Sequence, residues 1–289
     1  SLEFNIMRTT VSTFTALMVV TIALSFQPTA NADLVNITDG TSTFQWNPDD
    51  GTNTLSSAYG NYSFTFAPML RYTNSADVLK TRTMANFQGS GAKKANVSNS
   101  VVNVGDSAVM NVTFGTQNGL SSPVTDLSMT LVFTVSTNEY GGRVDYAMAV
   151  RNDSGRNLDV ELFQYYDWDI TSNQNSGKDF QWRGFDGFVQ TGSGGPQEQV
   201  FHGTSSLGNW EVAEWETIKT KLESNGDLTN SGTPFATADM TAAFGWDLGT
   251  MANGQTNGVS LLIEGIPEPS SAMLLTLACL GGALIRRKR

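Results

Sequence analysis

Short runs of alternating apolar and polar residues recur through the middle of the chain, and turn-forming residues separate them. In the first run Phe44 and Trp46 alternate with Thr43 and Gln45. Residues with this period of two share one face of a strand, so each run can bury one face and expose the other. Similar runs span residues 62–66, 108–114, 127–136, 144–150, 160–166, 180–189, 235–248 and 259–263. This pattern predicts an all-β fold, namely a β-sandwich or its jelly-roll variant.

Two local patterns refine this prediction. Val212, Trp215, Ile218 and Leu222 are spaced by three and four residues, which places them on one face of a helix. An Asn-Gly pair follows and favours a helix end there. The sequence therefore predicts one short helix over residues 210–222, with Trp215 on its buried face.

A second local pattern concerns residues 144–150 and 160–166. They flank the turn-forming sequence Asn152-Asp153-Ser154-Gly155. Two strand-like runs on either side of such a turn are typical of a β-hairpin. We therefore expect these two strands to pair with each other.

Charge and rare residues exclude several kinds of site. Between Asp33 and Gly265 there are 12 Lys and Arg residues against 25 Asp and Glu. Such an acidic body argues against nucleic-acid binding, which needs a basic surface. Cys279 is the single cysteine and His202 the single histidine, which excludes a thiolate cluster and a multi-histidine zinc site. We interpret His202 as a turn residue, since no G-x-S-x-G sequence supports a catalytic triad.

The first 32 residues have the layout of a secretory signal. Met7 is followed by Arg8, then by an apolar run over residues 16–24 and by Ala30-Asn31-Ala32. A basic start, a short apolar core and an A-x-A site predict cleavage before Asp33. Residues 1–32 are therefore interpreted as an N-terminal extension with a cleavable signal helix, and residues 33–265 as the β-sandwich body.

The last residues, 266–289, form a second tripartite segment. Pro267, Glu268 and Pro269 are followed by an apolar stretch over residues 272–285. The chain closes on four bases, namely Arg286, Arg287, Lys288 and Arg289. This order predicts an extended peptide, a C-terminal transmembrane helix and a basic anchor that stays on the cytoplasmic side.

This tail resembles the PEP-CTERM sorting signal, in which a Pro-Glu-Pro motif precedes a transmembrane helix and a basic cluster. The resemblance covers residues 266–289 and says nothing about the fold of the body. It implies recognition by an exosortase-type processing enzyme while the chain is held in the inner membrane. It further implies export to the cell envelope, the cell surface or the extracellular matrix, and an association with exopolysaccharide or biofilm.

Asp167 and Asp169 stand out within the body. They are two residues apart in an aromatic segment, so on a strand their carboxylates share one face. Such a pair could contribute to a calcium site or act as the carboxyl pair of a glycosidase. The alternative is that both lie at a strand end without a ligand, because calcium needs six to eight oxygen ligands.

The tryptophans admit two interpretations, since aromatic faces can stack on sugar rings or fill a core. We expect most of them to lie in the core. Together these patterns favour a non-enzymatic, exported surface or matrix protein that uses no cofactor. The alternatives are a carbohydrate-binding module and a secreted glycan hydrolase.

Overall fold

The computed structural model describes twelve segments of the chain. They are residues 34–48, 51–57, 60–73, 79–83, 96–116, 124–138, 141–169, 180–183, 187–191, 199–204, 208–232 and 240–266. The predicted signal and tail segments, residues 1–32 and 266–289, fall outside these ranges except for Ile266. Within the described ranges, no helix combines the length and hydrophobicity that a membrane crossing requires.

The first of two β-sheets, sheet I, contains nine described strands in the order β1-β2-β3-β4-β10-β16-β14-β15, with β5 paired to β4. Its neighbours are antiparallel except β14 and β15. The strands are β1 (Val35–Asp39), β2 (Ser42–Trp46), β3 (Thr52–Ser57), β4 (Gly60–Thr73), β5 (Leu79–Thr83), β10 (Leu158–Asp169), β14 (Asn209–Glu214), β15 (Ser231–Gly232) and β16 (Met240–Met251).

Sheet II contains eight described strands in the order β11-β12-β13-β17-β9-β8-β7-β6. All of its neighbours are antiparallel. The strands are β6 (Asn96–Val104), β7 (Ser107–Thr116), β8 (Val124–Asn138), β9 (Gly141–Asn152), β11 (Phe180–Arg183), β12 (Gly187–Thr191), β13 (Gln199–Thr204) and β17 (Thr256–Ile266).

The main core lies between the two sheets and is rich in aromatic rings. Phe66 of sheet I has its ring centroid 5.0 Å from that of Trp46 and 5.1 Å from that of Tyr146 in sheet II. Phe133 of sheet II lies 5.5 Å from Trp46. The hydroxyl groups of Tyr146 and Tyr166 form a buried hydrogen bond across the two sheets. Burial raises the pKa of both phenols, so both stay neutral and the pair costs no buried charge.

Among the described residues one helix is present, α1 (Trp215–Glu223), and it packs on the outer face of sheet I. Ile218 and Leu222 of this helix form a second apolar cluster with side chains of β4, β10 and β16, among them Phe163 and Tyr165. Arg71 on the same face stacks its guanidinium 4.6 Å from the Phe163 ring centroid. Sheet I is therefore covered on both faces in this region.

The predicted helix over residues 210–222 is correct in its second half and wrong in its first. Residues 209–214 form strand β14, which pairs antiparallel with β16. Val212 joins the core between the sheets, while Ile218 and Leu222 join the outer cluster. Trp215 is partly exposed rather than buried, and the Lys219 ammonium lies 5.0 Å from its ring centroid.

The predicted hairpin between residues 144–150 and 160–166 is wrong. Strand β9 pairs with β8 and β17 in sheet II, whereas β10 pairs with β4 and β16 in sheet I. The connection between them crosses from one sheet to the other. Asn152 holds this crossing, because its side-chain amide donates to the carbonyls of Arg156 and Met251 at 2.7 and 2.8 Å.

The all-β prediction with one short helix is confirmed at the level of a sandwich of two large sheets. A jelly roll has eight strands in its two sheets. The described strands here form sheets of nine and eight.

A polar clamp fixes α1 to sheet I and generates the first prediction. Lys221 donates to both carboxylate oxygens of Glu211 at 2.5 and 2.7 Å, and Thr229 donates to the same carboxylate through its backbone N–H and its hydroxyl. Burial would raise the pKa of Glu211, but these hydrogen bonds outweigh burial and hold the pKa below its ordinary value of 4.5.

A carboxyl group whose pKa is lower in the folded state than in the unfolded state stabilises the fold at pH values above the unfolded-state pKa. This stabilisation is lost as the pH falls through the folded-state pKa. We expect Glu211→Gln to lower the free energy of unfolding by about 1–3 kcal/mol at neutral pH. The difference from wild type should shrink as pH falls below about 4. Urea unfolding of wild type and variant between about pH 7 and pH 3 measures this difference in the free energy of unfolding. Glu216→Gln is the control, because Glu216 is exposed. Equal losses for both variants would contradict the clamp.

Candidate functional site

A cleft opens where β14 begins beside β16. The pairing of these strands starts with Asn209 opposite Gly245, while β16 continues to Met251. The last part of β16 therefore has no β14 residue beside it, and the first residues of β17 lie across the gap. The cleft has a volume of about 620 Å³ and is lined by residues 208–209, 245–248 and 257–259. This volume is within the range of about 300–1,000 Å³ that is typical of small-molecule sites.

The inner wall of the cleft is apolar and rigid. Trp246 is 5% exposed and packs against Phe244, with ring centroids 5.7 Å apart. Phe244 in turn lies 6.1 Å from Tyr166, edge to face, so this wall is continuous with the aromatic core. Leu248 and Val259 complete the wall. A wall held by the core keeps its shape when a ligand enters.

Asp247 is held in place at the rim by a β-bulge. In β10, Glu161 lies opposite Asp247 and Asp159 lies opposite Thr250. Leu248 and Gly249 of β16 therefore both lie opposite one residue of β10, Val160. The bulge turns the Gly249 N–H towards Asp247, and it donates to Oδ1 at 2.8 Å. Bulges of this kind often re-aim a side chain next to a functional site. The Asp247 carboxylate is exposed and keeps further lone pairs for a ligand.

Two asparagines supply amide groups at the rim. The side-chain nitrogen of Asn257 donates to the Leu248 carbonyl at 3.0 Å, which joins β17 to β16 across the cleft. The side-chain oxygen of Asn209 accepts a hydrogen bond from Asn230 at 3.2 Å. Each amide is thus oriented by one hydrogen bond and has remaining donor or acceptor capacity.

Two glycines leave room where a larger residue would clash. A Cβ atom on Gly208 would lie 2.2 Å from the Gly245 carbonyl oxygen and 2.7 Å from Cδ1 of Trp246. A Cβ atom on Gly258 would lie 2.3 Å from the Met148 carbonyl oxygen. Both contacts involve backbone that cannot move aside cheaply. The two glycines therefore allow the close backbone approaches that shape the cleft.

The surroundings of the cleft are acidic. Among the described residues that line it, Asp247 is the one that carries a charge. Its cross-strand neighbour Glu161 accepts a hydrogen bond from Arg71 at 3.1 Å, and Arg71 also donates to Asp227 at 2.7 Å. Asp159 accepts a hydrogen bond from the Thr250 hydroxyl. Asp247, Glu161, Asp159 and Asp227 thus place four carboxylates around this part of sheet I, and Arg71 pairs with two of them.

The structure does not bring the predicted aspartate pair to this cleft. Asp167 of β10 lies opposite Thr241 of β16 and Thr65 of β4. The Tyr165 hydroxyl donates to the Asp167 carboxylate at 3.4 Å. Asp169 lies opposite Ser63, and its side chain is outside the described part of the chain. Within that described part, no group of three or more Asp, Glu, His or Cys residues is placed to hold a metal ion.

The other predicted site residues lie outside the described residues. They are the signal site Ala30, Ala32 and Asp33, the sorting motif Pro267, Glu268 and Pro269, and the basic anchor Arg286, Arg287, Lys288 and Arg289. His202 lies in β13 opposite Phe188 and Ile263 rather than in a turn.

The site residues predicted from the sequence do not include Asp247 or Asn257. The signal that could have found Asp247 is the run Trp246-Asp247-Leu248-Gly249, in which a glycine near a strand end breaks the alternation. Gly249 has a φ of 71°, a value that favours glycine. The position of Asn257 beside β16 depends on the packing of the two sheets, and no local pattern reports it.

No protein-family model matches the sequence, and no curated protein matches it. Several solved structures resemble the fold. A bacterial glucoamylase complexed with acarbose aligns over 89% of this chain with a TM-score of 0.46 and 11% identity. This chain spans 36% of the glucoamylase's length.

Two further similar structures align over most of their own length. The alignment with a galactose mutarotase related enzyme from Lactobacillus acidophilus covers 80% of this chain and 97% of that enzyme, with 8% identity and a TM-score of 0.45. A putative aldose 1-epimerase from Escherichia coli K12 covers 81% of this chain and 99% of its own, with 9% identity and a TM-score of 0.45.

These comparisons correct one prediction. The sequence favoured a non-enzymatic body, whereas all three of these similar structures are named as enzymes. The prediction of a non-enzymatic body is therefore not retained. The similarity concerns the arrangement of strands and assigns no particular reaction to this chain.

The bulge generates the second prediction. Gly249 and Gly254 have φ values of 71° and 80°, and neither has an atom near the position of a Cβ. Replacing either glycine with alanine should therefore cost a similar amount of backbone strain, about 1–2 kcal/mol. Gly249→Ala should in addition loosen the hydrogen bond to Asp247, because its own N–H makes that bond. Chemical denaturation gives the stability of each variant.

Gly254→Ala is the matched control, because Gly254 lies in the turn before β17 and outside the lining of the cleft. NMR of the full chain should show larger shift changes around Asp247 and Asn257 for Gly249→Ala than for Gly254→Ala. Equal perturbation by both variants would contradict the role assigned to the bulge.

Proposed function

We propose that the body binds carbohydrate in the cleft between β14, β16 and β17. The observation that carries this proposal is the combination of a rigid aromatic wall with an exposed rim of oriented polar groups. Trp246 supports the wall, while Asp247, Asn209 and Asn257 provide the rim. The volume of the cleft suits a short segment of a glycan.

This combination matches the chemistry of sugars. A pyranose ring has apolar C–H faces that pack on aromatic and aliphatic walls, and hydroxyl groups that exchange hydrogen bonds with carboxylates and amides. An exposed Asp247 carboxylate can accept from two adjacent hydroxyl groups, and Asn257 can donate and accept at once. Fixing these groups before the ligand arrives reduces the entropy that binding costs.

Sugar recognition is a step that a binding module and a sugar-processing enzyme share. A two-carboxyl glycosidase needs an acid and a second carboxylate on opposite sides of the scissile bond. Among the described lining residues Asp247 is the one carboxylate, so the cleft supports the recognition step more directly than a hydrolytic one.

We further propose where the body meets its ligand. The signal-like segment ending at Ala32 and the Pro267-Glu268-Pro269 tail support export and surface handling by an exosortase-type enzyme. Glycans of the envelope or of an extracellular matrix would then be within reach of the cleft. This second proposal stands on the sequence, and its failure would leave the binding proposal intact.

Binding is tested by titrating the purified full chain with soluble oligosaccharides and following tryptophan fluorescence or heat. We expect binding of at least one glycan, and a loss of about tenfold or more in affinity for Asp247→Ala, because hydrogen bonds to a charged group are worth about 1.5–3 kcal/mol. Asn257→Ala should weaken binding as well, by a smaller factor.

Asp106→Ala is the control for charge. Asp106 is exposed and lies in the turn between β6 and β7 of sheet II, so its removal changes the net charge equally without touching the cleft. Unchanged affinity in Asp247→Ala, or equal losses in both variants, would overturn the assignment of the cleft.

Processing is tested by mass spectrometry of the mature protein from its native cells. The proposal predicts an N-terminus at Asp33 and loss of the residues that follow Pro269. A mature surface protein that still ends in Arg289 would contradict the sorting proposal.

A further inference from the structure

We infer that the cleft selects for amino sugars and against sugar acids. This inference rests on the proposed function, since it concerns the chemistry of the ligand that the same cleft takes. Its basis is the charge distribution around Asp247, because hydrogen-bonding groups alone would accept any hydroxylated sugar.

The lining offers a negative charge and no positive charge that could meet a carboxylate on the ligand. Among the described lining residues there is no Lys, Arg or His. The exposed Asp247 carboxylate is oriented by the Gly249 N–H at 2.8 Å. A protonated amine can donate to the remaining lone pairs of this carboxylate, and a charge-assisted hydrogen bond of this kind is stronger than one from a neutral hydroxyl.

Two basic groups on this side of sheet I, Arg71 and Lys221, are committed to other partners. Arg71 is 3% exposed, and its guanidinium contacts Glu161 at 3.1 Å, Asp227 at 2.7 Å and the Gly226 carbonyl at 2.5 Å. Lys221 is bonded to both oxygens of Glu211. Neither cation is placed to neutralise Asp247 or to pair with an anionic ligand.

The surrounding field has the same sign. Glu161 lies opposite Asp247 in the neighbouring strand β10. Asp159 lies in the same strand at the other end of the bulge. Asp227 adds a further acid on this part of sheet I, where Arg71 pairs with both Glu161 and Asp227. A ligand amine would therefore be attracted by more than one carboxylate, whereas a uronate would be repelled at Asp247 on contact.

The test compares four oligosaccharides of similar length on the full chain at about pH 6, where a sugar amine is protonated. They are a glucosamine oligomer, its N-acetylated counterpart, a neutral glucose oligomer and a galacturonic acid oligomer. We expect the glucosamine oligomer to bind about five- to twentyfold more tightly than the neutral and acetylated ones at low salt, and the galacturonic acid oligomer to bind weakest. Raising the salt from about 0.05 to 0.5 M should reduce this preference.

Asp247→Asn keeps the shape of the side chain and removes its charge. We expect this variant to lose the preference for the amine while it still binds the neutral oligomer, and Asp106→Asn to keep the preference. An amine preference that is unchanged in Asp247→Asn, or that Asp106→Asn also loses, would overturn the inference by assigning the preference to overall charge.

The remaining outcomes separate the two proposals. Binding of the neutral oligomer as tight as that of the amine, with Asp247→Ala still harmful, would overturn the amino-sugar inference and leave carbohydrate binding in place. Binding of none of the four oligomers would overturn both.

Discussion

The aromatic contacts between the two sheets are the interaction on which the rest of the structure depends. Phe66 and Trp46 of sheet I meet Phe133 and Tyr146 of sheet II at centroid distances between 5.1 and 6.1 Å. Large rings bury much apolar area and prefer tilted and edge-to-face contacts, which fix how the sheets lie on each other. The body described here has no disulfide framework, because the chain has one cysteine. Packing therefore has to supply this rigidity.

The cleft is a local consequence of that packing. The ring contacts continue from Tyr166 through Phe244 to Trp246, so the wall of the cleft is the margin of the core. At that margin β16 continues for several residues past its last pairing with β14. The bulge at Leu248 and Gly249 places the Asp247 carboxylate on the rim. A rigid wall and a rim positioned by backbone hydrogen bonds are what a site needs in order to bind without reorganising.

The sequence predicted the class of the fold because strand alternation is a local signal. Ser42 to Trp46 shows this, with buried residues at alternate positions as the pattern requires. The sequence did not predict which strands pair with each other. β9 and β10 look like a hairpin but join different sheets, and residues 210–214 carry a helical spacing yet pair with β16. Asp247 and Asn257 come together only through sheet packing, whereas Asp167 was found by spacing and has a different environment.

Hydrogen exchange on the full chain gives the most direct test of the cleft. Backbone amides would be compared before and after addition of a pooled set of neutral, amino and acidic oligosaccharides. The account predicts slower exchange in peptides that cover residues 245–249 and 257–259, with no change around residues 104–107 in the turn between β6 and β7. Protection confined to another surface, or the absence of protection anywhere, would contradict the claim that this cleft binds carbohydrate.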